Sequence, residues 1–365
     1  MKIRLQSSWE IKKSEEGVIE FFSGTRRKKY GIKSKNPDLF LFLESLKQGI
    51  EYPNDVVLAA KENGISETSI YSLIESLKEN GILLEESESP PFSPQDTLYD
   101  RQIRFFRSFE RREASGEEFN ENLQNRTILI AGLGGYGSWI ALLCARMGIR
   151  NIIGIDFDHV EITNLHRQVV YGYQDIGLLK VVACEKKIKE ADPEINFIGK
   201  NLKITCPEDL SDLMEKVDLV LNPFSYVPSK KALHHPAGIV AQAALFARKP
   251  CLTFGGSWVG PLTFPGETPC YFCTVRMLEL QTDLDPDHRN SNIQKRAFAP
   301  PIATCCSMAA FEAARFLSKC DTSQIMNGLI QLDVFAFSNS NFLHIKRDSD
   351  CPFCSPYADK LERRL

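Results

Sequence analysis

The sequence predicts an α/β protein: a doubly wound, mostly parallel sheet covered by helices, preceded by a small α+β domain. Three observations predict it. Apolar strand-like runs alternate with helical ones between residues 127 and 222, the order that builds a parallel sheet. A glycine-rich turn directly follows the first of those strands. The 365 residues, 43% hydrophobic and 25% charged, have ordinary globular composition and enough length for two or three domains.

The elements follow in chain order. Ile3 to Leu5 running on through Trp9 and Ile11, Val18 to Phe22, and Tyr30 to Ile32 read as three strands separated by Glu15-Glu16-Gly17 and Ser23-Gly24. Pro37 can open a helix through Leu39, Phe40, Phe42 and Leu43. Asn54 can cap a second helix that ends at Gly64, and Ser66 a third, in which Ile70, Leu73, Ile74 and Leu77 recur at helical spacing. Three strands and three helices over residues 1–86 make a winged-helix-like module. Residues 87–97, rich in Pro, Ser and acids, read as a linker. A helix over Tyr99 to Phe109 carries Arg101, Arg104 and Arg107. Thereafter come strand Thr127–Ala131, helix Gly137–Met147, strand Ile152–Asp156, helix Leu178–Ala191 and strand Leu219–Asn222. Residues 98–365 are assigned to one domain.

The chemistry starts at ILIAGLGGYGSW, where Gly132, Gly134 and Gly137 stand in the GxGxxG spacing after an apolar strand. Glycines there let the backbone approach a pyrophosphate at a helix N-terminus, whose free N–H groups favour anions. Asp156 ends the next strand, where a carboxylate would accept ribose hydroxyls. This Rossmann-like fingerprint fits NAD, FAD or ATP. Asn164, Arg167, Gln168 and Lys180 follow closely. Two cations and two carboxamides suit charge developing on an α-phosphate and a leaving pyrophosphate, which favours ATP.

At this point the sequence resembles the ThiF/MoeB family of ubiquitin-activating-type adenylating enzymes. The matching pieces are YDRQ (Tyr99 to Gln102), GLGGYG, DFDHVEITNLHRQ, the DIG segment ending at Lys180, FPGETPCYFC and the closing CPFC. The resemblance implies ATP held by Gly132, Gly134, Gly137, Asp156 and Asp158, with Asn164, Arg167, Gln168 and Lys180 on its phosphates. It also implies a homodimer in which Arg101 reaches the phosphates of the partner subunit, so that Arg101, Arg167 and Lys180 are the catalytic cations. The family holds Mg²⁺ with an acid where this chain has Ser225, and Asn222 replaces a second acid. Neither is a strong hard-cation ligand. The N-terminal module before YDRQ resembles the peptide-modifying branch of the family (MccB-like or PaaA-like), in which a peptide-clamp domain holds a ribosomal precursor peptide.

Of the eleven cysteines, Cys270/Cys273 and Cys351/Cys354 form two CxxC pairs. Two such knuckles can complete a closed tetrahedral site, so Zn²⁺ stapling the C-terminal tail is expected, with a redox pair as the alternative. The resemblance implies a structural zinc here as well. Cys305 and Cys306 fall at the start of a helical pattern, where a thiol could be activated; burial is the favoured reading. The polar stretch Glu279 to Pro301 has the length of a lid.

Composition excludes several classes. Forty-four Lys and Arg against 47 Asp and Glu give a net charge of −3, too little positive charge for nucleic-acid binding. The helix over Glu67 to Asn80 carries three glutamates and one lysine, a poor DNA reader. No stretch is long and apolar enough for a membrane, and Met1 to Lys13 lacks a signal-peptide core, so a cytoplasmic location is expected. The expected function is ATP-dependent activation of a precursor peptide's carboxyl or carboxamide, as acyl adenylate or phosphoramidate, in peptide antibiotic or natural-product maturation. The alternatives are an activating enzyme for a ubiquitin-like sulfur carrier, and a peptide-presenting scaffold serving a cyclodehydratase.

Overall fold

Two compact units divide the chain in the computed structural model, Met1–Glu121 and Asn122–Leu365. The structure describes residues 2–356 apart from 7, 15, 26, 35, 37, 87–97, 112–113, 228, 282–296 and 334–340. The expected linker, and most of the polar stretch read as a lid, lie outside the described residues.

The first unit holds β1 (Lys2–Leu5), β2 (Glu10–Lys13), β3 (Val18–Ser23), β4 (Lys28–Lys33), α1 (Leu39–Ser45), β5 (Ile50–Glu51), α2 (Asn54–Glu62), α3 (Glu67–Glu79), β6 (Leu83–Glu86) and α4 (Asp100–Arg107). Two antiparallel three-stranded sheets form, ordered β5-β1-β6 and β2-β3-β4. The stretch from Ile3 to Ile11, expected as one strand, is thus two strands in different sheets. Between them Gln6 is fully buried and donates from Nε2 to the Arg107 carbonyl at 3.0 Å. Apolar side chains from both sheets and three helices share one core: Ile3, Trp9, Phe21, Phe42, Leu43, Val56, Ile70, Ile74 and Leu77. Ser66 caps α3 as expected, its hydroxyl accepting from the Ser69 N–H at 3.3 Å. The third strand, β4, is an edge of its sheet, and the Tyr30 hydroxyl pairs with that of Ser76 on α3 at 3.0 Å.

Helix α5 (Gly116–Gln124) carries the division between the units. Phe106 of α4 meets Phe119 of α5 edge-on at 6.4 Å, and Arg107 pairs with Glu117. Contacts from Gln6 to the Arg107 carbonyl and from Ser8 to the Ser108 carbonyl at 3.4 Å join this segment to the first unit, which runs to Glu121, whereas the sequence places residue 98 onward with the nucleotide domain.

The second unit is built from β7 (Thr127–Ala131), α6 (Gly135–Arg146), β8 (Asn151–Asp156), α7 (Lys180–Ala191), β9 (Asn196–Asn201), α8 (Ser211–Met214), β10 (Leu219–Asn222), α9 (Ser229–Ala232), α10 (Pro236–Phe246), β11 (Cys251–Gly255), β12 (Trp258–Thr263), α11 (Tyr271–Gln281), α12 (Ala299–Ser318), β13 (Gly328–Gln331) and β14 (Asn341–His344). One eight-stranded sheet runs β14-β13-β12-β11-β10-β7-β8-β9. Strands β11, β10, β7, β8 and β9 are parallel, and β12 to β14 extend the sheet as antiparallel hairpins. The inner parallel strands β7, β8, β10 and β11 are almost wholly buried, as cover on both faces requires, whereas β9 at the sheet edge alternates and is largely exposed. Chain order reverses between β7 and β10, the switch point where such sheets leave a crevice at the carboxyl ends of their strands.

Prolines 300 and 301 sit in the first turn of α12, where a missing N–H costs nothing. The helix therefore starts earlier than expected. Cys305 and Cys306 lie in its second turn, fully buried rather than exposed at its end.

Candidate functional site

Thr127 to Ala131 is a buried strand whose end must turn sharply to deliver α6 back onto the sheet. Gly132 makes that turn at φ +93°, where an L side chain is strained. Gly137 lets the helix pass close: a Cβ there would lie 1.8 Å from the Gly132 carbonyl oxygen. Gly134 has nothing within 4 Å of the same position, so its bareness keeps space open rather than relieving a clash.

That space is a cavity of about 330 Å³ at the switch point, lined by the glycine turn after β7 and by Pro223-Phe224 after β10. Gly132, Gly134, Gly137, Asp156, Asp158 and Lys180 all line it. Leu202, Ile204, Phe224 and Pro236 supply an apolar wall. The glycine turn offers backbone N–H groups at the start of α6, an anion-binding arrangement.

The polar groups are held in place before any ligand arrives. Asp156, almost buried, accepts from the Leu133 N–H at 2.7 Å and from the Asp158 N–H at 2.9 Å. A carboxylate has about four acceptor sites, so two remain for hydroxyl donors. Lys180, 5% exposed at the start of α7, donates to the Asp158 carboxylate at 2.8 Å. The Tyr171 hydroxyl donates to the Leu133 carbonyl at 2.8 Å, and the Trp139 indole to the Arg167 carbonyl at 3.0 Å, tying residues 161–171 to the glycine turn and α6.

Three expected phosphate ligands are placed differently. Asn164 is buried in a 3₁₀ turn, its side-chain oxygen accepting from the Glu161 N–H at 3.2 Å. The Arg167 guanidinium turns back on the Thr163 carbonyl at 2.5 Å. Gln168 is 3% exposed, and its Oε1 has no donor among the described groups. None of the three lines the cavity. Arg101 is exposed on α4 of the first unit.

Sequence reasoning missed Tyr136, Phe224, Leu202 and Ile204. Only Tyr136 carried a signal, inside GLGGYG. Its hydroxyl donates to the Gly256 carbonyl at 3.1 Å, and burial pushes the phenol up to about 12, so it stays neutral. Cys305 and Cys306 have their thiols pushed up by burial as well, the reverse of an activated nucleophile.

The second cluster is Cys270, Cys273, Cys351 and Cys354, all buried, with their sulfurs within 4.8 Å of one another. Neighbouring sulfurs stand 3.6–3.7 Å apart. Disulfide sulfurs sit about 2.05 Å apart, whereas ligands about 2.3 Å from a tetrahedral zinc lie about 3.8 Å from each other. The donor set fits such an ion. Phe272 stacks on Phe353 at 3.7 Å beside it.

A family model described as the ThiF family matches residues 99–353. The chain belongs to the ThiF family. It is therefore an ATP-dependent enzyme of the adenylyltransferase type. The sulfur carrier protein ThiS adenylyltransferase of Escherichia coli is 27% identical over 234 residues, spanning 64% of this chain and 88% of that protein. The crystal structure of E. coli MccB with AMPCPP and MccA superposes with a TM-score of 0.71 at 21% identity, over 97% of this chain and 100% of that one. PaaA superposes at 0.63 with 19% identity, over 93% and 98%. These two likenesses are of fold.

Within this ThiF-family site, the side-chain carboxylate and amide oxygens near the cavity are those of Asp156, Asp158 and Asn222, whose Oδ1 has no donor among the described groups. Asn222 is fully buried, and its amide donates to the Ala237 carbonyl at 2.9 Å. Ser225 packs against the Gly255-Gly256 turn. The two carboxylates lining the cavity, Asp156 and Asp158, already bind backbone N–H groups and Lys180.

Proposed function

We propose that this enzyme adenylates a ribosomally made precursor peptide. The observation that carries the reading is the extent of the fold likeness. MccB, solved with MccA, superposes over 97% of this chain, first unit included, whereas the sulfur-carrier relative aligns in sequence over 64%. Residues 1–86 serve as the peptide clamp, 87–97 as a linker, and 98–365 as the catalytic domain.

ATP enters the switch-point cavity with its phosphates on the N–H groups of Gly132 to Gly137 and its ribose on Asp156. Lys180 leaves Asp158 for the phosphates, and Arg167 swings from Thr163 to join it. Arg101 of a second copy completes the charge in a homodimer. An oxygen of the peptide carboxyl attacks the α-phosphorus, pyrophosphate departs, and an acyl adenylate remains; a carboxamide nitrogen would give a phosphoramidate by the same displacement. The thiolates of Cys270, Cys273, Cys351 and Cys354 would hold Zn²⁺ as a closed structural staple, and Mg²⁺ bound with the nucleotide would offset charge on its phosphates.

The clamp works through β4. An extended peptide adds to a free sheet edge by main-chain hydrogen bonds. Lys28, Lys29 and Lys33 are exposed on that strand, and would draw an acidic leader. ATP–pyrophosphate exchange, measured with and without short peptides encoded beside the gene, tests the reading. Peptide-dependent exchange supports it. Exchange driven instead by a ubiquitin-like sulfur carrier establishes the second reading, which the sequence relatives favour. ATP binding without exchange in either case makes the chain a scaffold, the reading that Ser225 and Asn222 favour.

A further inference from the structure

The loop after β10 forms one wall of the cavity through Pro223 and Phe224, and the Phe224 ring would stand 3.1 Å from a Cβ on Gly132. Elsewhere the same loop touches the Gly255-Gly256 turn through Ser225 and β12 through Tyr226, and its backbone N–H groups are met by α11. The Val227 N–H donates to the Tyr271 hydroxyl at 3.2 Å, and the Ser229 N–H donates to the Glu279 carboxylate at 2.7 Å. Both acceptors belong to α11, two turns apart on that helix.

Their surroundings differ in kind. Tyr271 is 2% exposed, and its ring stacks on Tyr226 at 5.2 Å and 18°. Tyr226 in turn donates its hydroxyl to the Gly260 carbonyl in β12. Packing therefore fixes the Tyr271 ring, and its hydroxyl is left as a rigid acceptor aimed at the loop backbone. Glu279 is a partly exposed side chain that takes the loop's far end. Helix α11 itself begins inside the four-thiolate cluster, since Tyr271 lies between Cys270 and Cys273.

We infer that Tyr271 and Glu279 are positioning residues for nucleotide binding, holding the backbone at Val227 and Ser229 so that Phe224 stays against the glycine turn. Neither lines the cavity. Each acts through the loop backbone, and the thiolate knuckle is the anchor of the helix that carries them. The wall of the nucleotide cavity and the C-terminal staple are in this way two ends of one mechanical unit. The inference rests on reading the cavity as the ATP site.

The test is calorimetric ATP titration of the full-length protein and of Tyr271→Phe, Glu279→Ala and Glu279→Gln, with zinc content, thermal midpoint and amide exchange over 223–229 measured on each. Tyr271→Phe keeps the ring and its stacking but removes the acceptor, so ATP binding weakens about threefold to tenfold, the scale of one net hydrogen bond. Glu279→Ala weakens it similarly, and Glu279→Gln, which keeps an acceptor oxygen, returns it to near the wild-type value. Amide exchange at 223–229 speeds up in the first two variants, with zinc still at one per chain. Equal ATP affinity in all four proteins overturns the inference, as does a loss of affinity that the Gln variant fails to restore. A fall in thermal midpoint without a change in affinity means that the contacts are structural only, and also overturns it. Wild-type protein that binds no ATP overturns the cavity reading instead, a distinct outcome.

Discussion

Replacing Lys180 by Met removes one charge from the cavity while leaving the volume of the side chain nearly intact. Its ammonium lies 2.8 Å from the Asp158 carboxylate. At an effective dielectric of about 20, two unit charges roughly 4 Å apart attract by about 4 kcal/mol. The Asp158 side chain is half exposed, however, so water screens the pair and its net worth falls to about 1 kcal/mol or less. Lys180→Met should therefore lower the thermal midpoint by only about 2–4 °C. The ATP complex loses more, because a hydrogen bond to a charged group contributes about 1.5–3 kcal/mol, or about 10- to 150-fold in affinity. Asp158→Asn has the opposite sign for binding. It releases the cation that ATP must otherwise take from its partner, so ATP binds more tightly while the ligand-free protein loses stability. Calorimetric titration and thermal melting of both variants and the double mutant close the cycle. ATP affinity within about threefold of wild type in Lys180→Met refutes the assignment of Lys180 to the phosphates.

The glycines separate fold from ligand. Gly137→Ala drives a Cβ into the Gly132 carbonyl and should cost on the order of 3 kcal/mol by melting, whereas Gly134→Ala meets no atom and should weaken ATP about tenfold with the midpoint almost unchanged. Metal analysis should find about one Zn²⁺ per chain, and Cys273→Ser should lose it together with stability. Burial pushes the thiols of Cys144, Cys251 and Cys305 from an ordinary value near 9 up to about 12. The unfolded chain then releases protons that the folded chain retains, so stability is full below about pH 9 and falls progressively towards pH 12; chemical denaturation across that range should show the loss, and a flat profile would contradict it. In the full chain, reversing Lys28, Lys29 and Lys33 to Glu should weaken binding of an acidic leader peptide and invert its salt dependence while leaving ATP affinity unchanged.

What could be read from the sequence was what backbone constraints impose. Gly132 and Gly137 are required by a positive φ and a 1.8 Å approach, and the apolar runs of β7, β8 and β10 by burial on both faces. The CxxC spacing likewise reports a local knuckle. Long-range packing left no local trace. Gln6 and Arg107, which help join residues 98–121 to the first unit, are 101 positions apart. Leu202, Ile204 and Phe224 reach the cavity only because the strand order reverses. The turn of Arg167 back onto Thr163 depends on the 3₁₀ turn over Ile162–Asn164, too short to announce itself in a pattern.

The reversal of strand order has a consequence for how this enzyme matures. Strand β7 pairs with β8 soon after both are made, but its other edge waits for β10, with α6, β8, α7, β9 and α8 synthesised between β7 and β10. Until β10 slides in beside β7, the glycine turn has no opposite wall, and ATP meets an open edge instead of a cavity. The ligand therefore rewards only the finished sheet. Contacts this distant in sequence form late and slowly, so nucleotide added during refolding should stabilise the native end state by mass action without speeding the steps that precede β10.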